Sequence, residues 1–303
     1  MSIRPVTGTQ FEIAHGSSRC VLTEVGAAIR VFEVDGRPLL ETYPEDVLPP
    51  YGSGTQLVPW ANRVADGRWS LDGEPQQLAL TEPRRHNAIH GLTRTVSWEV
   101  RERTTSSILF ATTVNPQPGW PVALAATLAY ALSDDGLTVT YGVENLGDRP
   151  TPFGVGAHPF PRAGHARTED CLIRLAAETR LPVDDRLLPT GPPVPVAGTD
   201  HDFRVPRPLG ATRLDTAFGG CRPGADGLVH HQVLAPDGTG VDIWAEPVFG
   251  WVQVFTPDDY PGRGLAVAIE PVTSPPDALN SGTDLLTLAP GERWTGSWGL
   301  RSV

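Results

Sequence analysis

Apolar and polar residues alternate with period two along much of this chain, the spacing of strands with one buried face. Trp98-Glu99-Val100-Arg101 shows the alternation, and Ile108 to Val114 is strand-like. Leu124 to Leu132 and Leu137 to Val143 flank Asp134-Asp135-Gly136. Asp-Gly tolerates the positive φ of a tight turn, so this stretch predicts a β-hairpin. Val229 to Leu234 and Val241 to Ala245 repeat the device around Asp237-Gly238. Trp251 to Phe255 and Leu265 to Ile269 read as further strands, the second ending at Glu270. Helical periodicity is scarce, and Glu169 to Leu181 is the best helix candidate. Many short strands separated by turns predict an all-β sandwich or barrel. The absence of a fixed-period repeat argues against a propeller. The Pro-rich stretch from Leu188 to Pro208 reads as a long surface loop rather than a linker, because strand patterning resumes on both sides. Residues 1–303 are then expected to form one domain.

Composition removes several chemistries. The chain has 24 Lys+Arg, and every one of them is Arg. Without lysine there is no Schiff-base mechanism, no P-loop lysine and no kinase strand lysine. The 32 glycines and 31 prolines are spread between apolar runs, as in a turn-rich folded protein rather than a disordered one. A net charge of −11 repels phosphate backbones, so neither nucleic acid nor an anionic membrane is an expected partner. Cys20, Cys171 and Cys221 are far apart and show no metal-ligand spacing, which fits a reducing compartment. Met1 to Gln10 has no apolar leader region, and the longest nearly apolar stretch, Val122 to Leu132, is too short to span a bilayer. A cytoplasmic location is expected.

Five segments place polar residues among apolar or Gly/Pro-bounded neighbours. In Trp60-Ala61-Asn62-Arg63-Val64, Arg63 offers a planar fork of donors for hydroxyls or carboxylates, although a structural ion pair is the commoner use. In His86-Asn87-Ala88-Ile89-His90-Gly91, the two histidines would share a face if the segment is a strand. In Gly156-Ala157-His158-Pro159-Phe160, His158 sits in an apolar setting that suits a general acid or base as well as a buried structural histidine. Asp215, before Phe218-Gly219-Gly220, is placed to accept from a ligand or to cap a turn. Glu270 follows an apolar strand, where burial would raise its carboxyl toward a useful range.

The order and spacing of these segments resemble the aldose 1-epimerase, or galactose mutarotase-like, family. Asn62-Arg63 resembles an early substrate-binding motif of that family, and Asn87 to Gly91 resembles its first active-site histidine segment. Ala157-His158-Pro159-Phe160 is similar to the segment that carries the family's general acid. Asp215-Thr216-Ala217-Phe218 and the strand carrying Gln253 resemble segments that face the sugar. Glu270-Pro271, with Pro276-Asp277-Ala278 downstream, resembles the segment of the catalytic glutamate. Leu288 to Glu292 resembles the closing turn before a final strand, so the matches run from Asn62 to Trp298. Phe160 stands where well-known mutarotases carry Tyr, and Pro271-Val272-Thr273 replaces a more polar continuation, as in a divergent bacterial branch.

The resemblance implies a β-supersandwich and interconversion of the α- and β-anomers of an aldose, with no cofactor and no metal. It implies Glu270 as the base that takes the C1 hydroxyl proton and His158 as the acid that protonates the ring oxygen. Asn62, Arg63, His90, Asp215 and Gln253 would hold the monosaccharide, with Trp60, Trp251 and Phe160 as aromatics available for stacking. Glu270 is expected ionised and His158 charged or donating, with a bell-shaped rate profile. Three alternatives remain at this point. A hexose-6-phosphate epimerase would need a cationic pocket from Arg84 and Arg85. A non-catalytic sugar-binding module would bind without exchange, and a metal enzyme would use His86, His90 and His158. The oligomeric state is not legible.

Overall fold

The alternation from Leu124 onward is realised as the longest hairpin of the molecule in the computed structural model, which describes residues 4–303. Met1 to Ile3, part of the stretch read for a leader, lie outside the described residues. Strands Leu124–Ser133 and Gly136–Asn145 pair in unbroken register from Leu124↔Asn145 to Ser133↔Gly136. Leu128, Tyr130 and Leu132 point inward opposite Tyr141, Val139 and Leu137, all buried. Each such aliphatic side chain contributes about 1.5–3 kcal/mol on burial. Gly136 closes the turn at φ 106°, and a Cβ there would lie 2.3 Å from the Leu300 carbonyl oxygen.

This hairpin centres a nine-stranded antiparallel sheet. In order across the sheet lie Glu99–Arg103, Ser107–Val114, the hairpin, Arg293–Ser302, Gly240–Ala245, Val229–Leu234, Leu172–Arg174 and Arg207–Pro208. The carboxy-terminal strand Arg293–Ser302 therefore joins the two predicted hairpins into one surface. A second, seven-stranded sheet runs Val194–Pro195, Thr179–Arg180, Asp215–Gly219, Trp251–Phe255, Ala268–Val272, Gly156–Ala157 and Gln56–Leu57. A four-stranded sheet from Gln10–His15 to Arg37–Pro38 precedes both. One apolar cluster takes Ile13 from the first sheet, Leu128, Val139 and Trp298 from the large one, and Val252, Val254 and Ile269 from the second.

Two local expectations change. Glu169 to Leu181 is not a helix: a 3₁₀ turn, Thr168–Asp170, leads into strands Leu172–Arg174 and Thr179–Arg180. Cys171, Ile173, Leu175 and Ala177 are the buried positions, which is period two and feeds the core. Leu265 to Ile269 shifts to Ala268–Val272, so Glu270 lies in the middle of a strand rather than past its end. The loop from Leu188 to Pro208 contributes only two-residue edge strands, where proline is tolerated, and it sends Val196 and Phe203 into the main core.

Candidate active site

The second sheet builds one wall by register alone. Gln253 pairs with Ala217 on one side and with Glu270 on the other. Asp215 is two residues from Ala217 and shares its face. Gly156 pairs with Val272, and the same register carried two residues on sets His158 beside Glu270. Asp215, Gln253, Glu270 and His158 thus converge from four segments distant in sequence. The Tyr141 hydroxyl donates to the Gly156 carbonyl oxygen at 2.6 Å and ties this edge to the large sheet.

The opposite wall is a small sheet of Arg63–Ala65 against Asn87–Ile89. Asn62 and His90, just outside the paired residues, have φ of 59° and 63°. This places neither His86 nor His90 in a strand. They do not share a face: the exposed His86 ring meets Asp66 at 2.9 Å, while His90 turns into the cleft. Gly91 follows at φ 66°, and a Cβ there would be 2.3 Å from the Val58 carbonyl oxygen, so only glycine fits.

Between the walls is a cavity of about 480 Å³, within the range that holds a small molecule. Asn62, Arg63, His90, His158, Asp215, Gln253 and Glu270, the whole set expected from sequence, line it. Its buried end holds His158 Nε2 and Glu270 Oε1, 3.4 Å apart, with the two side chains 5% and 2% exposed. The Arg63 fork clasps Glu82: Nε donates to Oε2 at 2.9 Å and an Nη to Oε1 at 3.0 Å. Arg63 also reaches Asp215 at 3.4 Å, and Asp215 accepts from the Gln253 amide at 2.7 Å. Asn87 and Arg85 add donors to Glu82 at 3.0 and 3.1 Å. The site is a continuous ionic and hydrogen-bonded chain from Glu82 to Gln253.

Charge states depart from the expectation. Burial, helped by the neighbouring Asp215, pushes the Glu270 carboxyl well above its usual 4.5 despite Arg63. Burial, helped by the Arg94 and Arg63 cations, lowers His158 to about 4. Both shifts run toward the uncharged form of the group in the free site. Glu270 Oε2, His158 Nδ1 and Gln253 Oε1 are buried without a hydrogen-bond partner. An unmet buried polar atom costs roughly 1–3 kcal/mol, and three of them around one cavity mark it as built for a polar ligand.

His90, His158 and Glu270 bring donor atoms within 4.8 Å of one another, close enough to be considered for a metal. His90 Nδ1, however, accepts the Asn62 main-chain N–H at 3.3 Å. A metal-bound histidine ordinarily donates its other ring N–H to a carbonyl or carboxylate, which is the opposite polarity. His86, the remaining member of the metal alternative, is tied to Asp66 instead.

Sequence reasoning missed Tyr51, Glu82, Arg94 and Phe255, all on the cavity wall. Glu82 and Arg94 sit in polar loops that look solvated, and only the fold turns them inward. The aromatics expected to face the sugar do other work. Trp60 packs on Trp120 in the core, Trp251 donates to Asp284 at 2.7 Å, and Phe160 stacks on the His158 ring at 5.4 Å. Arg85 lines the cavity but is engaged by Glu82, and Arg84 is exposed and does not line it.

The Aldose 1-epimerase family profile matches residues 9–301. The Escherichia coli protein YihR is 30% identical over 287 residues, 94% of this chain and 91% of YihR. Human galactose mutarotase is 33% identical over 167 residues, which is 53% of this chain and 47% of that enzyme. Among solved structures, an aldose epimerase homologue from C. elegans superposes with a TM-score of 0.84 at 17% identity, covering 97% of this chain and 98% of that one. A galactose mutarotase-like protein from Clostridium acetobutylicum gives 0.83 at 19%, with 96% and 94% covered. Those two likenesses carry the fold, and the profile match over nearly the whole length carries the lineage: the chain belongs to the aldose 1-epimerase family.

Proposed function

We propose that the protein interconverts the α- and β-anomers of an aldose by opening and reclosing its hemiacetal ring. The observation that carries this reading is the Glu270–His158 contact of 3.4 Å at the buried end of the cavity. Ring opening needs one group to take the C1 hydroxyl proton and another to give a proton to the ring oxygen. After rotation about C1–C2, closure runs the same steps backward. The C1–ring oxygen bond breaks as the C1 carbonyl forms, with no net oxidation or reduction and no group transferred, so a carboxyl and an imidazole suffice. Sugar hydroxyls donating to Glu270 Oε2 stabilise the carboxylate, and the shared proton passes to His158. Glu270 then acts as base and His158 as acid, while Asn62, Arg63, His90, Asp215 and Gln253 hold the hydroxyls. Following α-to-β exchange across a panel of aldoses by NMR tests the reading. Sugar binding without exchange would leave only a binding module.

The active form of the free pair carries one proton, which sets the pH profile of kcat/KM. Below about pH 4 His158 gains a second proton for the pair, no base remains, and the rate falls. On the alkaline side the pair loses its last proton, no acid remains, and the rate falls again. That limb lies well above the ordinary carboxyl range because Glu270 is raised. The expected result is a bell whose acid limb lies near pH 4, below the ordinary imidazole range, and whose alkaline limb is displaced above the ordinary carboxyl range. A narrow bell bounded by ordinary carboxyl and imidazole values would contradict it.

One side chain favours a second reading, an aldose that carries an anionic group. Arg94 lines the cavity, burial lowers its pKa, and among the described residues it has no carboxylate partner. It lies near enough to His158 and His90 to oppose the protonation of both. An acid aimed at the ring oxygen is beside C5, so the substituent on C6 is the group nearest this guanidinium. Guanidinium–phosphate hydrogen bonds contribute roughly 1.5–3 kcal/mol. The ratio of kcat/KM for glucose 6-phosphate to that for glucose should therefore drop at least about tenfold in Arg94→Met. An unchanged ratio would return the substrate to neutral sugars.

A further inference from the structure

We propose that His90 acts as a neutral hydrogen-bond donor that does not itself transfer a proton, its Nε2–H tautomer set by the main-chain amide of Asn62. The contact is direct: the Asn62 N–H donates to His90 Nδ1 at 3.3 Å. A neutral imidazole has one donor and one acceptor nitrogen, so an occupied acceptor at Nδ1 leaves the proton on Nε2. The reciprocal bond, His90 N–H to the Asn62 carbonyl oxygen at 3.0 Å, locks the two residues together. Both lie in the left-handed region, and the crowded Gly91 keeps the loop from relaxing.

The groups facing the ring keep it neutral. His90 meets His158 edge to face at 5.2 Å, and the Arg94 and Arg63 cations are close enough to oppose a positive imidazole. Burial is the larger cause, and with these neighbours it takes the pKa of His90 well below 6.5. Glu270 is a carboxyl within reach, and burial raises its pKa, which weakens its pull on a proton-bearing ring.

The two histidines therefore divide the work. His158 faces Glu270 and exchanges a proton with the reaction. His90 presents a fixed N–H to the oxygen that gains electron density as the ring opens or closes. A neutral donor suits this task, because it strengthens as charge develops without giving up its proton. Toward His90, Asn62 is a positioning residue that acts through its main-chain amide, whatever its side chain does for the sugar. The catalytic role rests on the sugar occupying the cavity as proposed above, whereas the tautomer does not.

Imidazole ¹⁵N NMR of histidine-labelled protein, with the His90 signals assigned by their loss in His90→Gln, reads the tautomer without any turnover. The expected pattern is neutral Nε2–H, unchanged between about pH 5 and pH 8, where an ordinary imidazole titrates. Asn62→Gly keeps both the amide and the left-handed backbone, and should keep that pattern. For the role in exchange, a Gln amide nitrogen reaches roughly where Nε2 sits, and an Asn amide nitrogen roughly where Nδ1 sits. His90→Gln should retain the rate within about tenfold, whereas His90→Asn and His90→Ala lose about 10²-fold or more, as for a removed oxyanion donor. An Nδ1–H or doubly protonated ring overturns the tautomer, and His90→Gln falling as far as His90→Ala overturns the role. If no aldose is turned over, the anomer-exchange reading fails, while the NMR result still decides the tautomer.

Discussion

Glu270→Gln is expected to slow anomer exchange by about 10²–10⁴-fold, the usual contribution of one positioned acid–base group. The amide keeps the shape and hydrogen-bonding capacity of the side chain but can neither take nor return a proton. The loss should fall on kcat if, as proposed, Arg63, Asp215 and Gln253 hold the sugar hydroxyls independently of Glu270. His158→Asn should cost a similar factor, since its partner is 3.4 Å away and neither group can complete the cycle alone. The double variant should be hardly slower than either single one, because residues that act as a unit are not additive. Polarimetry, with circular dichroism to establish folding, gives the answer. A folded Glu270→Gln protein at near the wild-type rate would remove Glu270 from the reaction.

The second large effect is on stability. Arg63 is 8% exposed at its side chain and engages two carboxylates, Glu82 at 15% and Asp215 at 25%. Replacing it with Met keeps the alkyl stem but leaves both acids partly buried without their cation. Breaking a buried pair from one side typically costs about 3–5 kcal/mol, and the lower end applies because the acids retain some solvent. Urea unfolding of Arg63→Met should show a midpoint lowered by the equivalent of about 3 kcal/mol. Removing Glu82 as well, in Arg63→Met/Glu82→Gln, should recover part of that loss. A double variant less stable than Arg63→Met would mean that Glu82 has a role independent of Arg63.

The same residues show what was legible in the chain. The hairpin around Asp134-Asp135-Gly136 needed only local information, alternation plus a turn residue, and it formed where expected, with Ser133 paired to Gly136. Glu169 to Leu181 was misread although its signal was also local. Cys171, Ile173, Leu175 and Ala177 alternate, but the apolar Leu172 and Ala176 between them blur the period. The candidate site residues were legible only from the order of several short segments taken together and their resemblance to the family, since none of the segments is distinctive alone. Glu82 was not, because a glutamate in Thr81-Glu82-Pro83-Arg84 looks like any solvated loop until the Arg63 strand folds against it.

Taken by itself, the sequence determined an all-β chain, the absence of lysine chemistry and a set of seven polar residues in order. The first two are properties of neighbours and residue type along the chain, whereas the seven residues came from the resemblance of their ordered motifs to the family. Only the tertiary structure decided that Glu270 lies within a strand beside His158, and that burial raises the carboxyl and lowers the imidazole. It alone decided that His90 receives an amide proton, that Arg63 is committed to Glu82, and that Arg94 rather than Arg84 or Arg85 is the unengaged cation of the cleft. Charge state and hydrogen-bond polarity depend on solvent exclusion and on fields summed over groups far apart in sequence, and these exist only once the sheets have closed around the site.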